Sequence, residues 1–242
     1  MTPHARPPAA AILDTIIDTL NHNLRRALDL PLYISCVGLI QRLLSHLSAT
    51  HTRFPYHWSL LWQTLLSLLR FLTTYADSLK SQHPDLQSLL HPFLTVLALA
   101  VTQGESFLPA STDYDDLFYK LVEAGHYLPR FKSSFSPHLS SALPSTQPHS
   151  RNPQNPPIDL LILVSTHYQS LISAAKGAGR VGKDLSPREV SRVIREGYET
   201  LVLPEVETGG WERWREGEDR GLVKRWGRCV VEDGKRIVKD GV

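Results

Sequence analysis

The chain has 242 residues, 26 basic against 24 acidic side chains and a formal charge of +2. That length buries a sizeable core in one large domain or two small ones. The near-balanced charge argues against a partner captured by bulk electrostatics, such as naked nucleic acid. Two cysteines, Cys36 and Cys229, form no metal spacing and read as free thiols in a reducing cytosol.

The opening "MTPHARPPAAAILDTIIDTL" is not a secretory signal, because Asp14 and Asp18 interrupt its apolar stretch. Pro7 and Pro8 open a first helix, in which Ile12, Ile16, Leu20, Leu24 and Ala27 recur at three- and four-residue intervals. Pro31 opens a second helix running to about Ser48. Residues 56–79 form a third, rich in leucine on most sides and therefore central. Pro84 starts a fourth, with Gly104 as its expected C-terminal cap. The apolar runs at 30–40, 60–72 and 89–101 each fall short of the ~20 residues a bilayer span needs, so they read as buried scaffold helices.

The passage "TQGESFLPASTDYDDLFYKLVEAGH" (102–126) is the least ordinary. Tyr114, Leu117, Phe118, Leu121 and Val122 share one face of a fifth helix. Thr112 or Asp113 is its expected N-cap, with the acids around Asp115 and Asp116 complementing the helix dipole. This places the three aspartates at a helix start rather than at a metal or catalytic centre. Phe107, Leu108 and Pro109 look exposed. They either staple onto the following helix or join Tyr114 and Phe118 in lining a groove for a partner segment. With Asp116, these are the candidate docking residues: Phe107, Leu108, Pro109, Tyr114, Asp116 and Phe118.

A helix is expected near 127–140, and residues 133–157, rich in Ser, Pro and Asn, read as a linker or long surface loop. "IDLLILVSTHYQSLISAAK" (158–176) could begin as a buried strand, but its length and the Tyr168, Leu171, Ile172 spacing favour a helix. "KGAGRVGKD" (176–184) satisfies G-x-G-x-x-G through Gly177, Gly179 and Gly182, with Lys183 next. It lacks the preceding strand, and Asp184 stands where a phosphate loop needs a hydroxyl residue, so it reads as an inter-helix loop. "SPREV" begins another helix with a capping box, Ser186 at N-cap and Glu189 at N3. Trp211, Trp214, Leu222, Trp226 and Val230 mark a last helical region. The domain reading is thus 1–132 as N-terminal helices, 133–157 as linker, and 158–242 as C-terminal helices packing on the same domain.

No stretch alternates with a strand period, so the class is all-α: an α-solenoid or an irregular bundle with successive helices antiparallel. Eleven histidines are scattered without zinc spacing, and there is no nucleophile elbow. The sequence therefore supplies no catalytic, metal or cofactor residue, and the reading is a non-enzyme.

"GESFLPASTDYDDLFYKLV" resembles the hallmark segment of the armadillo-like helical domain-containing protein family. The resemblance extends through "IDTLNHNLRRALDLPLYISCVGLIQRLLSHL", "YHWSLLWQTLLSLLRFL" and "LSPREVSRVIREGYETLVL". It implies an armadillo-like helical stack acting as a non-enzymatic scaffold or adaptor. That scaffold would work in the cytosol and peripherally on Golgi membranes, with protein partners that include a beta-type phosphatidylinositol 4-kinase. Members of the family are much longer, so this chain corresponds to their C-terminal portion. Its proline-rich and glycine loops are expanded relative to the family pattern. An integral membrane protein, or a nucleotide binder using residues 177–183, are the alternatives.

Overall fold

A computed structural model describes residues 7–24, 28–140, 156–178, 186–201 and 203. Every regular element among the described residues is helical. The chain runs through α1 (Pro8–Asn23), α2 (Leu30–Ala49), α3 (Trp58–Thr74) and α4 (Ala76–Gln82). A 3₁₀ turn at Pro84–Leu86 leads into α5 (Gln87–Phe107), followed by α6 (Ser111–Glu123) and α7 (Tyr127–Ser140). α8 (Pro157–Ala178), α9 (Pro187–Glu196) and a 3₁₀ turn at Tyr198–Thr200 complete the described elements.

Local chemistry explains most of these bounds. Asp29 caps α2, its carboxylate accepting from the Leu32 N–H at 3.2 Å, and Pro31 follows in the first turn. Ser186 and Glu189 form the expected capping box at α9. The region read as a third helix, 56–79, is two helices meeting at Tyr75. Thr73 and Thr74 bond back to the carbonyls of Leu69 and Arg70 at 2.7 and 2.8 Å, a pattern that bends helices.

Two expectations are corrected by packing. Gly104 is not a terminal cap: α5 continues to Phe107, and Gly104 is buried within it. The segment read as linker from 133 begins as helix, since α7 runs to Ser140 with Phe131 and Phe135 fully buried one turn apart. These two apolar anchors hold a serine- and proline-containing stretch in helical form; residues 141–155 lie outside the described part. The segment 158–176 is helical throughout, within α8, as its length and apolar spacing favoured.

The packing order has a period of three helices. α5 packs most extensively on α2 and then receives α8; α3 packs on α6, which receives α9. α2, α3, α5, α6, α8 and α9 thus find a principal neighbour three elements along, whereas α1 packs on α3 and α2, and α7 chiefly on α3. This is the arrangement of stacked helical repeats, in which each unit buries its apolar face against the next. The amino-acid sequence shows no matching repeat, because only burial and not residue identity recurs.

α5 is the axis of this packing. Val96, Leu97, Ala98, Leu99, Ala100 and Val101 are all buried, so the helix is covered on every side. Trp58 ties the region together: it stacks on Trp62 with centroids 5.5 Å apart and packs against Phe107 at 5.3 Å. Its Nε1 donates to the Phe54 carbonyl at 2.9 Å, and the Phe54 N–H donates to the Phe107 carbonyl at 2.9 Å. The link between α2 and α3 is thereby pinned to the end of α5. The terminal region carrying Trp211, Trp214, Leu222, Trp226 and Val230 lies outside the described residues.

One backbone position invites a stabilising change. His51 has φ of 48°, the left-handed region, just past the end of α2. Its N–H bonds the Ser48 carbonyl at 3.1 Å, and the Thr52 N–H bonds the Leu47 carbonyl at 3.0 Å, which together close a Schellman motif. His51→Gly relieves the side-chain clash of that conformation and should raise stability by ~1 kcal/mol in urea unfolding.

Candidate functional site

The turn between α5 and α6 is built from buried rather than exposed apolar groups. Phe107 is 0% and Leu108 2% accessible, while Pro109 is half-buried. The exposed-looking triplet of the sequence is therefore mostly core, because α3 offers Trp58 to Phe107. α6 starts two to three residues earlier than expected. Ala110 is the N-cap residue, and Asp113 sits at N3, accepting from the Ala110 N–H at 3.2 Å. Alanine has no oxygen to return the bond, so the carboxylate alone caps this helix.

The aspartates crowded together in sequence take three separate roles. Asp113 caps the helix, and Asp116 pairs with Lys120 one turn on, at 2.9 Å. Asp115 is 3% accessible and reaches across to the other end of the described chain. Its Oδ1 accepts from the Tyr198 hydroxyl at 2.7 Å, and its Oδ2 accepts from Arg195 Nη2 at 2.5 Å. One buried carboxylate thus holds α6 to α9 and the turn after it.

The hydrogen bond it donates to Asp115, followed by the charge of that carboxylate, raises the already basic Arg195 guanidinium further. Burial foremost, then the bond to Asp115, pushes the Tyr198 phenol well above its ordinary value, so it stays a neutral donor. The sequence does contain a signal for this contact. Asp115 lies three residues before Phe118 and so shares the apolar face of α6, where a charge must be paired. Reading the acids only as dipole partners passes over it.

Around this latch lies a groove of about 490 Å³. Leu108, Tyr114 and Phe118 line one part of it, and Tyr168 of α8 with Tyr198 and Leu201 line another. Of the candidate docking residues, these first three come together at the groove, whereas Phe107, Pro109 and Asp116 do not line it. The Tyr114 hydroxyl donates to the Val101 carbonyl at 2.6 Å, and its ring meets Phe118 edge-on at 4.7 Å. Phe118 in turn lies 5.0 Å from Tyr168 and 5.4 Å from Tyr198. Burial, then the charge of Asp115, raises the Tyr168 phenol. Its hydroxyl has no hydrogen-bond partner among the described residues.

Among the described residues no three His, Cys, Asp or Glu side chains gather as a metal site. Gly177 lies inside α8 rather than at the end of a strand; residues 179–185 of the glycine loop lie outside the described part.

A family model for the C-terminal region of "Armadillo-like helical domain-containing protein 3" matches residues 6–236. The chain belongs to that family. The human protein of that name is 24% identical over 198 residues, which cover 82% of this chain and 28% of that protein. The Danio rerio protein of the same name matches to the same extent. A Schizosaccharomyces pombe protein named UPF0588 membrane protein is 29% identical over 144 residues, 58% of this chain and 24% of that protein. The chain therefore spans about a quarter of the length of the curated relatives it matches. No solved structure matches.

The family's armadillo-like helical fold agrees with the three-helix packing period. Two further features of the chain bear on it. Three helical segments, Leu30–Ala49, Pro84–Phe107 and Pro157–Lys176, are long and apolar enough to cross a membrane by length and composition. The runs at 30–40 and 89–101 lie within the first two of these helices, so their expected shortfall in length does not hold, whereas 60–72 lies in the 17-residue α3 and remains too short. Gly104 also has a definite job in this fold. A Cβ there would lie 2.8 Å from the Tyr114 ring and 3.3 Å from Leu108 Cδ1. Gly104→Ala should overpack the α5–α6 contact and cost ~2 kcal/mol of unfolding free energy, despite the better helix propensity of alanine.

Proposed function

We propose that this chain is a non-enzymatic helical scaffold that works peripherally at Golgi membranes and holds a protein partner, a phosphatidylinositol 4-kinase being the expected one. The observation that carries the reading is the groove beside the Asp115 latch, where Leu108, Tyr114 and Phe118 of the resembling segment converge. A concave surface lined by aromatic and leucine side chains with a few fixed polar groups suits a docked segment. Membership of the armadillo-like family supports the scaffold class. The test is affinity capture of the tagged full chain from cells, with lipid-kinase activity measured on the eluate. Enrichment of that activity over a tag-only control is the expected result; repeated absence of both kinase activity and Golgi trafficking proteins counts against it.

A second reading is an integral membrane protein. Three sufficiently long apolar helices favour it, as does the name of the Schizosaccharomyces pombe relative, a membrane protein. Against it, 61% of the most apolar window in Pro84–Phe107 is already buried inside the protein, which leaves that helix little surface to offer to lipid. Alkaline carbonate washing separates the two readings. Release into the supernatant supports the peripheral scaffold, and retention in the pellet supports the spanning protein.

A further inference from the structure

α9 presents two faces of opposite character. Ile194 is fully buried and Val190 and Val193 are half-buried, while Arg188, Arg192 and Arg195 are exposed. The arginines follow each other at spacings of four and three, so they form one stripe along the helix. With Ser191 they line a concavity of about 360 Å³. Arg195 lines both this concavity and the aromatic groove, so the two adjoin at that side chain.

The charge left outside ion pairs is mainly that of arginines. Arg195 is committed to Asp115, and Arg192 faces Glu196 at 3.7 Å with both side chains about 70% exposed, an arrangement that binds little. Arg188 has no ion pair among the described residues, and neither has Arg53, which lines the groove from the link between α2 and α3. Against these stands Glu105 in the groove lining. The apolar part is recessed, and Leu201 and Leu203 in it remain partly exposed.

We infer that the groove and the α9 stripe together receive an acidic amphipathic segment of a protein partner. Its apolar anchor enters between Tyr114 and Leu201, and its carboxylates face Arg188, Arg192 and Arg53. This rests on the scaffold reading and specifies the chemistry of the docked partner. A row of arginines over two helical turns spans ~10 Å, too far apart for one phosphate to engage and well matched to carboxylates repeated along a helix. A bilayer surface is flat and would need protruding apolar groups, whereas here they lie inside a concavity.

The experiment selects from a random 16-residue peptide library displayed on phage, using the full chain as immobilised bait. Enriched peptides should carry Asp or Glu around a leucine or aromatic anchor. They should bind the R188E/R192E double variant at least tenfold more weakly, and the Leu201→Asp variant likewise, with helical content and melting of both variants matching the unsubstituted chain. A Leu201→Asp variant that melts early is replaced by Leu203→Asp for the same comparison. Enrichment of neutral or basic peptides, unchanged affinity on charge reversal, or no enrichment overturns the inference. So does loss of binding to phosphatidylserine vesicles in R188E/R192E without any peptide enriched, which assigns the stripe to a lipid surface. Kinase capture that persists in R188E/R192E with no peptide enriched sinks this inference alone. Acidic peptides enriched without kinase capture leave it standing and remove the kinase from the scaffold reading.

Discussion

Trp58→Ala should lower the unfolding free energy by ~3–5 kcal/mol, the largest loss expected for a single replacement in this chain. Trp58 is 1% accessible and sits where α3, the end of α5 and the incoming link meet. Truncation removes its stacking on Trp62 and Phe107, leaves a cavity among fully buried neighbours, and unpairs the Phe54 carbonyl. Urea denaturation followed by circular dichroism measures the loss. Paired phenylalanine variants separate packing from hydrogen bonding. The Trp62 Nε1 is buried with no partner among the described residues, whereas Trp58 Nε1 has the Phe54 carbonyl. Trp58→Phe should therefore cost more than Trp62→Phe by ~1 kcal/mol. Equal losses would show that the hydrogen bond contributes nothing.

Asp115→Ala should release α9 without unfolding the rest. The buried carboxylate accepts from the Tyr198 hydroxyl, a charge-assisted bond whose loss costs ~2 kcal/mol. The Arg195 contact contributes less, because that side chain is 56% exposed and water screens it. Backbone amides of residues 190–201 should then exchange ~30-fold faster, while those in the middle of α5 keep their protection. Trypsin should also cut sooner at Arg188, Arg192 and Arg195. Asp115→Asn retains an acceptor for Tyr198 and should lie between the two. Uniformly faster exchange across α5 as well would mean that Asp115 supports the whole core and does not act as a local latch.

The loss of α9 order also bears on docking, since Tyr198 and Leu201 line the groove and Arg195 joins it to the arginine stripe. An Asp115 variant is expected to weaken binding of the selected peptides by disordering the site, although Asp115 itself is too buried to touch an occupant.

Much of this fold was legible in the residues. Three- and four-residue apolar spacing marks α1, α6 and α8, because a helix must turn one face inward. Proline, serine and aspartate place several helix starts, since the first backbone N–H groups need acceptors or no hydrogen at all. The hallmark segment around 104–122 carries the family, and the family carries the fold class. Helix ends set by contacts at a distance were not legible: α5 runs past Gly104 to Phe107, which is buried against Trp58, while the missing side chain at 104 leaves room for the Tyr114 ring.

What the sequence by itself determined is which segments are helical and which face of each is apolar, since both follow from local spacing and capping. Which helix meets which was decided only in three dimensions. Apolar stripes are interchangeable, and nothing local tells α2 to choose α5, or Asp115 to wait for Arg195 and Tyr198 some eighty residues on. The groove belongs to that second class: it exists because α6, α8 and the end of α9 converge around one buried carboxylate that has nowhere else to place its charge.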